Sequence, residues 1–160
     1  MTQVLALILA LLIGVIAGSR AMTAPAVVAW GAMLGWIDVT DKWSEWMAHP
    51  ITVTVLTILM VGELITDQLP KTPSRKVPVQ FGTRLITGGF AGAVIGSAFF
   101  HTFSATGAGV VGAVLGTMAG AALRTKLFEA NNGNDRPGAF LEDAVAVAGG
   151  FLVAFLVSFV

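Results

Sequence analysis

The sequence predicts an all-α integral membrane protein of about six transmembrane helices. Three observations carry this. First, 56% of the 160 residues are hydrophobic and only 11% are charged, whereas a soluble domain needs roughly 25% charged residues to face water. Second, mean hydropathy is +0.84. Third, apolar segments recur at the length a bilayer demands, about 20 residues with a range of roughly 17–25. Nineteen glycines agree, because membrane helices pack through small residues.

The expected spans are 2–19, 22–38, 50–67, 80–101, 106–124 and 139–160. The first is not read as a secretion signal. Its first basic residue, Arg20, follows the apolar run instead of preceding it, so a retained span is expected. GSRAMTAP separates the first two segments. There Gly18 can end one helix, Thr23 can cap the next, and Pro25 suits a first turn. The rival is one bent helix over 3–37, giving five spans with Arg20 in the middle of one. An arginine facing lipid costs at least about 2.5 kcal/mol, so the turn is preferred. At the last span Asp135 can cap and Pro137 can occupy the first turn.

Lys and Arg set the orientation. In this arrangement Arg20, Lys71, Arg75, Lys76, Arg84, Arg124, Lys126 and Arg136 fall on one side, and Lys42 alone on the other. The positive-inside rule then puts 19–22, 67–79 and 124–138 in the cytoplasm and both termini outside. Trp36, Trp43, Trp46, Phe99, Phe100 and Phe103 gather at the outer ends, as an interfacial aromatic belt does. Spans 1–3 and 4–6 run in opposed directions, the layout of an inverted repeat.

Four motifs stand out. Glycines recur at four-residue spacing, Gly14 with Gly18, then Gly88, Gly92 and Gly96, then Gly112, Gly116 and Gly120. Such stripes let helix backbones approach, either within one bundle or at a subunit interface or pore wall. Glu63 and Asp67 share one helix face at the cytoplasmic end of span 3. They are either an ion or substrate site or half of an ion pair with Arg20 or Arg84. Glu142 and Asp143 lie near a helix start, where the dipole favours anions. That explains Asp143, and leaves Glu142 as a second acid at the depth of Glu63. In the loop PKTPSRK, Lys71, Arg75 and Lys76 suit lipid headgroups and topology. A phosphate-binding role for Arg75 with Thr72 and Ser74 has no glycine-rich cradle behind it. Together Arg20, Glu63, Asp67, Arg84, Arg124, Glu142 and Asp143 outline a cytoplasm-facing polar vestibule beneath an apolar, glycine-lined zone.

GSRAMTAPAVVAW, GELITDQLPKTPSRK, RLITGGFAGAVIGSAF and FLEDAVAVAGG resemble the bacterial membrane proteins grouped as domain of unknown function family 4126. The resemblance covers roughly residues 10–150, and its most specific element is G-E-L-x-x-D-x-L-P-K-T-P-S-R. The family pattern tends to carry Lys where this chain has Gln68, so no basic role is carried over there. The resemblance implies a multi-pass inner-membrane protein and brings no activity with it.

Composition narrows the function classes. A net charge of zero argues against nucleic acid. The absence of Cys excludes disulfides, iron–sulfur clusters and thiol catalysis. Only His49 and His101 offer imidazole, both in expected loops. No cofactor or metal is implied. A small transporter or channel is expected, with the bilayer and a small ion or solute as partners and a homo-oligomer as the working form. Glu63 is the expected ion or proton site, with Asp67 and Glu142 beside it and Arg20 as counter-charge. An accessory membrane protein and an enzyme acting on a lipid phosphate are the alternatives.

Overall fold

A computed structural model describes residues 2–67, 77–130 and 136–160, and all its long elements are α-helices: α1 Thr2–Ser19, α2 Thr23–Met33, α3 Pro50–Thr66, α4 Pro78–Ala98, α5 Thr102–Ala130 and α6 Arg136–Val157. A short 3-10 turn over Glu45–Ala48 precedes α3. Lys71, Arg75 and Lys76, with Thr72, Ser74 and Asp135, lie outside the described residues.

Each helix has local causes. Pro50 opens α3 behind His49, whose Nδ1 accepts the N–H of Ile51 at 3.3 Å, and Pro78 opens α4. Proline suits a first turn because the N–H it lacks has no intrahelical acceptor there. α2 stops at Met33 because Gly35 takes a left-handed backbone, φ 75°. The N–H of Trp36 then bonds back to Gly31 O at 2.8 Å, closing the helix C-terminus.

Contacts along the helices fix their directions. Glu63 reaches Ala21 and Met22 while Thr57 meets Trp30, so α3 is antiparallel to α2. Arg20 meets Asp143 and Val27 packs near Gly150, so α6 is parallel to α2. Ile16 packs near Gly149, so α1 runs the other way. Gly14 and Gly18 meet α5 in the same order, and Gly88, Gly92 and Gly96 meet it in reverse. Consecutive helices therefore alternate in direction, and α1 and α2 form a reversing hairpin instead of one bent helix.

Three helices, Thr2–Ser19, Thr102–Ala130 and Pro137–Val157, are long and apolar enough to cross a membrane. α2 is the main departure from the expected spans. It has 11 residues, about 16 Å, because Gly35 ends it where the sequence reading ran on to residue 38. α5 departs the other way and continues to Ala130, as Thr125–Ala130 carries no Gly or Pro. Opposed direction is the one feature of an inverted repeat that the two expected halves keep among the described residues. α5 has 29 residues and lies against both α1 and α4, whereas its counterpart α2 packs on α3, α4 and α6.

The centre is a backbone-to-backbone crossing of α1, α4 and α5. A Cβ on Gly14 would overlap Gly109 O, one on Gly112 would overlap Leu11 O, and one on Gly116 would overlap Val15 O. Cβ atoms on Gly18 and Gly92 would lie 2.5 Å from Ala113 O and Ala105 O, and one on Gly96 would overlap Ala105 Cβ. Gly88 faces Ala113 and Gly109. The glycine stripes are thus consumed inside the chain. Gly120 is half-buried. Gly109, which four-residue spacing passes over, sits at the middle.

At the end away from Arg20, residues 34–49 fold onto the helices. Ile37, Val39 and Met47 are buried in the core, Ser44 Oγ and Ser97 Oγ are 2.6 Å apart, and Lys42 Nζ lies 4.7 Å from the centre of the Phe100 ring. Trp43 and Trp46 pack on Phe90, and Trp36 on Phe155. The expected aromatic gathering is therefore real at this end.

Candidate functional site

The polar residues converge on the turn between α1 and α2. A helix end inside a bundle leaves carbonyls at its C-terminus and N–H groups at its N-terminus that must find partners in protein. Here Arg84 meets the C-terminus of α1 and Glu63 meets the start of α2, as the dipoles of those two helices favour. Arg84 of α4 donates through Nη1 to Gly18 O at 2.6 Å and Ser19 O at 2.9 Å, the last carbonyls of α1. Thr117 of α5 donates to Gly18 O at 3.1 Å. Glu63 of α3 accepts the N–H groups of Ala21 at 2.7 Å and Met22 at 2.8 Å, just before α2. Glu63 therefore anchors the turn that leads into α2, and Thr23, expected as its cap, does not cap it. Thr23 is the first helical residue, and Met22 at the cap position makes no side-chain bond.

Arg20 projects from the same turn and has no solvent exposure. It is paired with Asp67, the residue that closes α3. Its Nε donates to Asp143 Oδ1 of α6 at 2.6 Å. Glu142 lies 3.8 Å from Arg20 and 3.8 Å from Arg124, bridging the two guanidinium groups at longer range. Two helices of distant sequence, α3 and α6, are thus tied to one cation in the turn between α1 and α2. Charge-assisted bonds of this kind are roughly twice as strong as neutral ones.

The sequence-predicted residues therefore do come together, with their roles redistributed. Of the two acids on α3, Asp67 pairs with the arginine and Glu63 holds backbone. Of the two on α6, Asp143 makes the short bond and Glu142 stands further off. Arg84 is 2% exposed and serves the end of α1. Thr117, fully buried, was missed, because a hydroxyl bonding a carbonyl 99 residues away on α1 leaves no spacing signal.

The turn is enclosed, not a surface loop. α4 starts six residues below Arg84 and α6 seven below Asp143, about 9–10 Å of helix in each case, while α5 runs on about 20 Å past Thr117. α4 and α6, with 21 and 22 residues, are about 31–33 Å long, close to the roughly 30 Å of a bilayer core. The charge cluster lies in one end-third of that length. An apolar groove of about 300 Å³ lined by Trp30, Met33, Val53, Thr57 and Ile58 opens between α2 and α3, away from the charges. Among the described residues no group of His, Asp and Glu is arranged to hold a metal ion.

A family model described as Domain of unknown function (DUF4126) matches residues 7–160. No curated protein and no solved structure matches the chain.

Proposed function

The chain belongs to the DUF4126 family, and on that premise we propose that it is a small multi-pass membrane transport protein that moves a small ion or solute. The cluster of Arg20, Asp67, Glu142 and Asp143 is its polar site. One observation carries the reading: a fully buried arginine is held by carboxylates from two other helices, in a chain with three membrane-length apolar helices. Ionisable groups at membrane depth are costly, and they mark ion and substrate paths. Converging helix ends beside such groups are a recurrent transporter feature. In this reading six helices cross the inner membrane, α2 as a half-length pass, with the cluster toward the cytoplasm.

The test is flux into proteoliposomes loaded with proton-, cation- and anion-sensitive dyes. Wild-type protein is expected to carry one of these, and Asp67→Asn or Glu142→Gln to change the rate at least tenfold while eluting as folded protein. No flux for any ion or small solute, or variants that keep the wild-type rate, would overturn the proposal.

A second reading, an accessory protein whose charges serve assembly, has its own support. Glu63 and Arg84 both serve backbone at the hairpin turn. It predicts that every charge substitution lowers folded yield and none alters flux.

A further inference from the structure

α2 begins without a side-chain cap of its own. The first N–H groups of any helix lack intrahelical acceptors, and Glu63 accepts only the two N–H groups that precede the helix, those of Ala21 and Met22. The next residue, Thr23, is fully buried and its hydroxyl has no hydrogen-bond partner. On the same turn Arg20 Nη2 lies 2.5 Å from Asp143 Oδ1 but makes no aligned hydrogen bond, while Nε already donates to that oxygen. Within one turn of chain, Nη2 is thus ion-paired without an aligned hydrogen bond, and the Thr23 hydroxyl is left without a partner.

Groups in that condition are strongly disfavoured unless something satisfies them. Charge decides what that is. An anion would meet Glu63, Asp67, Glu142 and Asp143. A cation would meet the Arg20 guanidinium and the positive end of α2. A neutral molecule that both donates and accepts meets neither penalty. We propose that the first turn of α2 is a buried hydration site, in which ordered water accepts from Arg20 Nη2, bonds Thr23 Oγ1 and donates to the surrounding carboxylates. Buried water commonly makes about three such bonds. The inference stands whether or not the protein transports anything.

Water-edited solid-state NMR of the full-length chain in lipid bilayers tests it. Water magnetisation is expected to reach Thr23 several times faster than Val27 and Val28, which lie further along α2 and are equally buried. A Thr23 signal that builds up as slowly as those valines overturns the proposal. Thr23→Val gives an independent readout, since it keeps the shape and removes the hydroxyl. A hydroxyl that binds water makes this substitution lower Tm by roughly 2–4 °C, the shift a modest stability loss gives in a chain of this size. A Tm equal to or above wild type also overturns the proposal, because deleting an unsatisfied hydroxyl is neutral or stabilising.

Discussion

Glu63 closes the start of α2 from another helix, its two carboxylate oxygens accepting the N–H groups of Ala21 at 2.7 Å and Met22 at 2.8 Å. A glutamine offers only one oxygen and turns its NH₂ toward the other donor. Glu63→Gln is therefore expected to lose about 2 kcal/mol of stability, within the range for stranding a buried partner. Thermal unfolding in detergent, followed by tryptophan fluorescence, measures it. An unchanged Tm would show that the carboxylate does not hold the turn.

Arg20 is the common partner of Asp67 and Asp143. Replacing it with methionine keeps the bulk and takes the shared guanidinium from two nearly buried carboxylates. The expected loss is about 3–5 kcal/mol, as for breaking other buried pairs from one side. Arg20→Lys keeps the charge without the fork and should fall between wild type and Arg20→Met. Equal stability of the lysine variant and wild type would rule out the forked geometry as the source of the stability.

The glycines divide sharply by environment. Gly112→Ala would drive a methyl into the Leu11 carbonyl, and separating α1 from α5 should cost more than about 3 kcal/mol, at or above the usual overpacking penalty. Gly107, on the same helix, has open space within 4 Å of the point where an alanine methyl would stand. Gly107→Ala should gain about 0.5–1 kcal/mol from helix propensity alone. Paired Tm measurements check this, and similar effects at both positions would contradict the crossing.

Two residues beyond helix ends adopt left-handed backbone, Gly35 at φ 75° and Phe100 at φ 61°. Gly35→Ala should lose about 1 kcal/mol from backbone strain, with no clash to add to it. Phe100→Gly should gain about 0.5 kcal/mol, since relieved strain of about 1 kcal/mol outweighs a cation–π contact with Lys42 of about 0.5 kcal/mol. Opposite signs in the two Tm shifts are the expected result.

The helices were legible because membrane-length apolar runs stand out in the sequence, and Pro137 marks the start of α6, whereas the stop at Gly35 and the start at Pro78 were read past. The membership of the polar cluster was legible too, since charge is scarce in this chain. Its pairings were not. Glu63 bonds main-chain N–H groups, which every residue but proline carries, so nothing in the sequence distinguishes those of Ala21 and Met22. Thr23 has a capping side chain, yet an acid from α3 anchors the turn. Gly109 escaped a four-residue count because the α5 seam runs 105, 109, 112, 116, mixing steps of four and three as a 3.6-residue helix does.

The bond from Arg20 to Asp143 joins positions 123 apart. Synthesis is sequential, at about 5–20 residues per second, so roughly 6–25 s separate the appearance of these two residues on the ribosome. Through that interval the hairpin holds a guanidinium whose second counter-ion does not yet exist. The hairpin of α1 and α2 is thus completed only by α6, and a chain interrupted before α6 leaves the buried guanidinium short of one carboxylate.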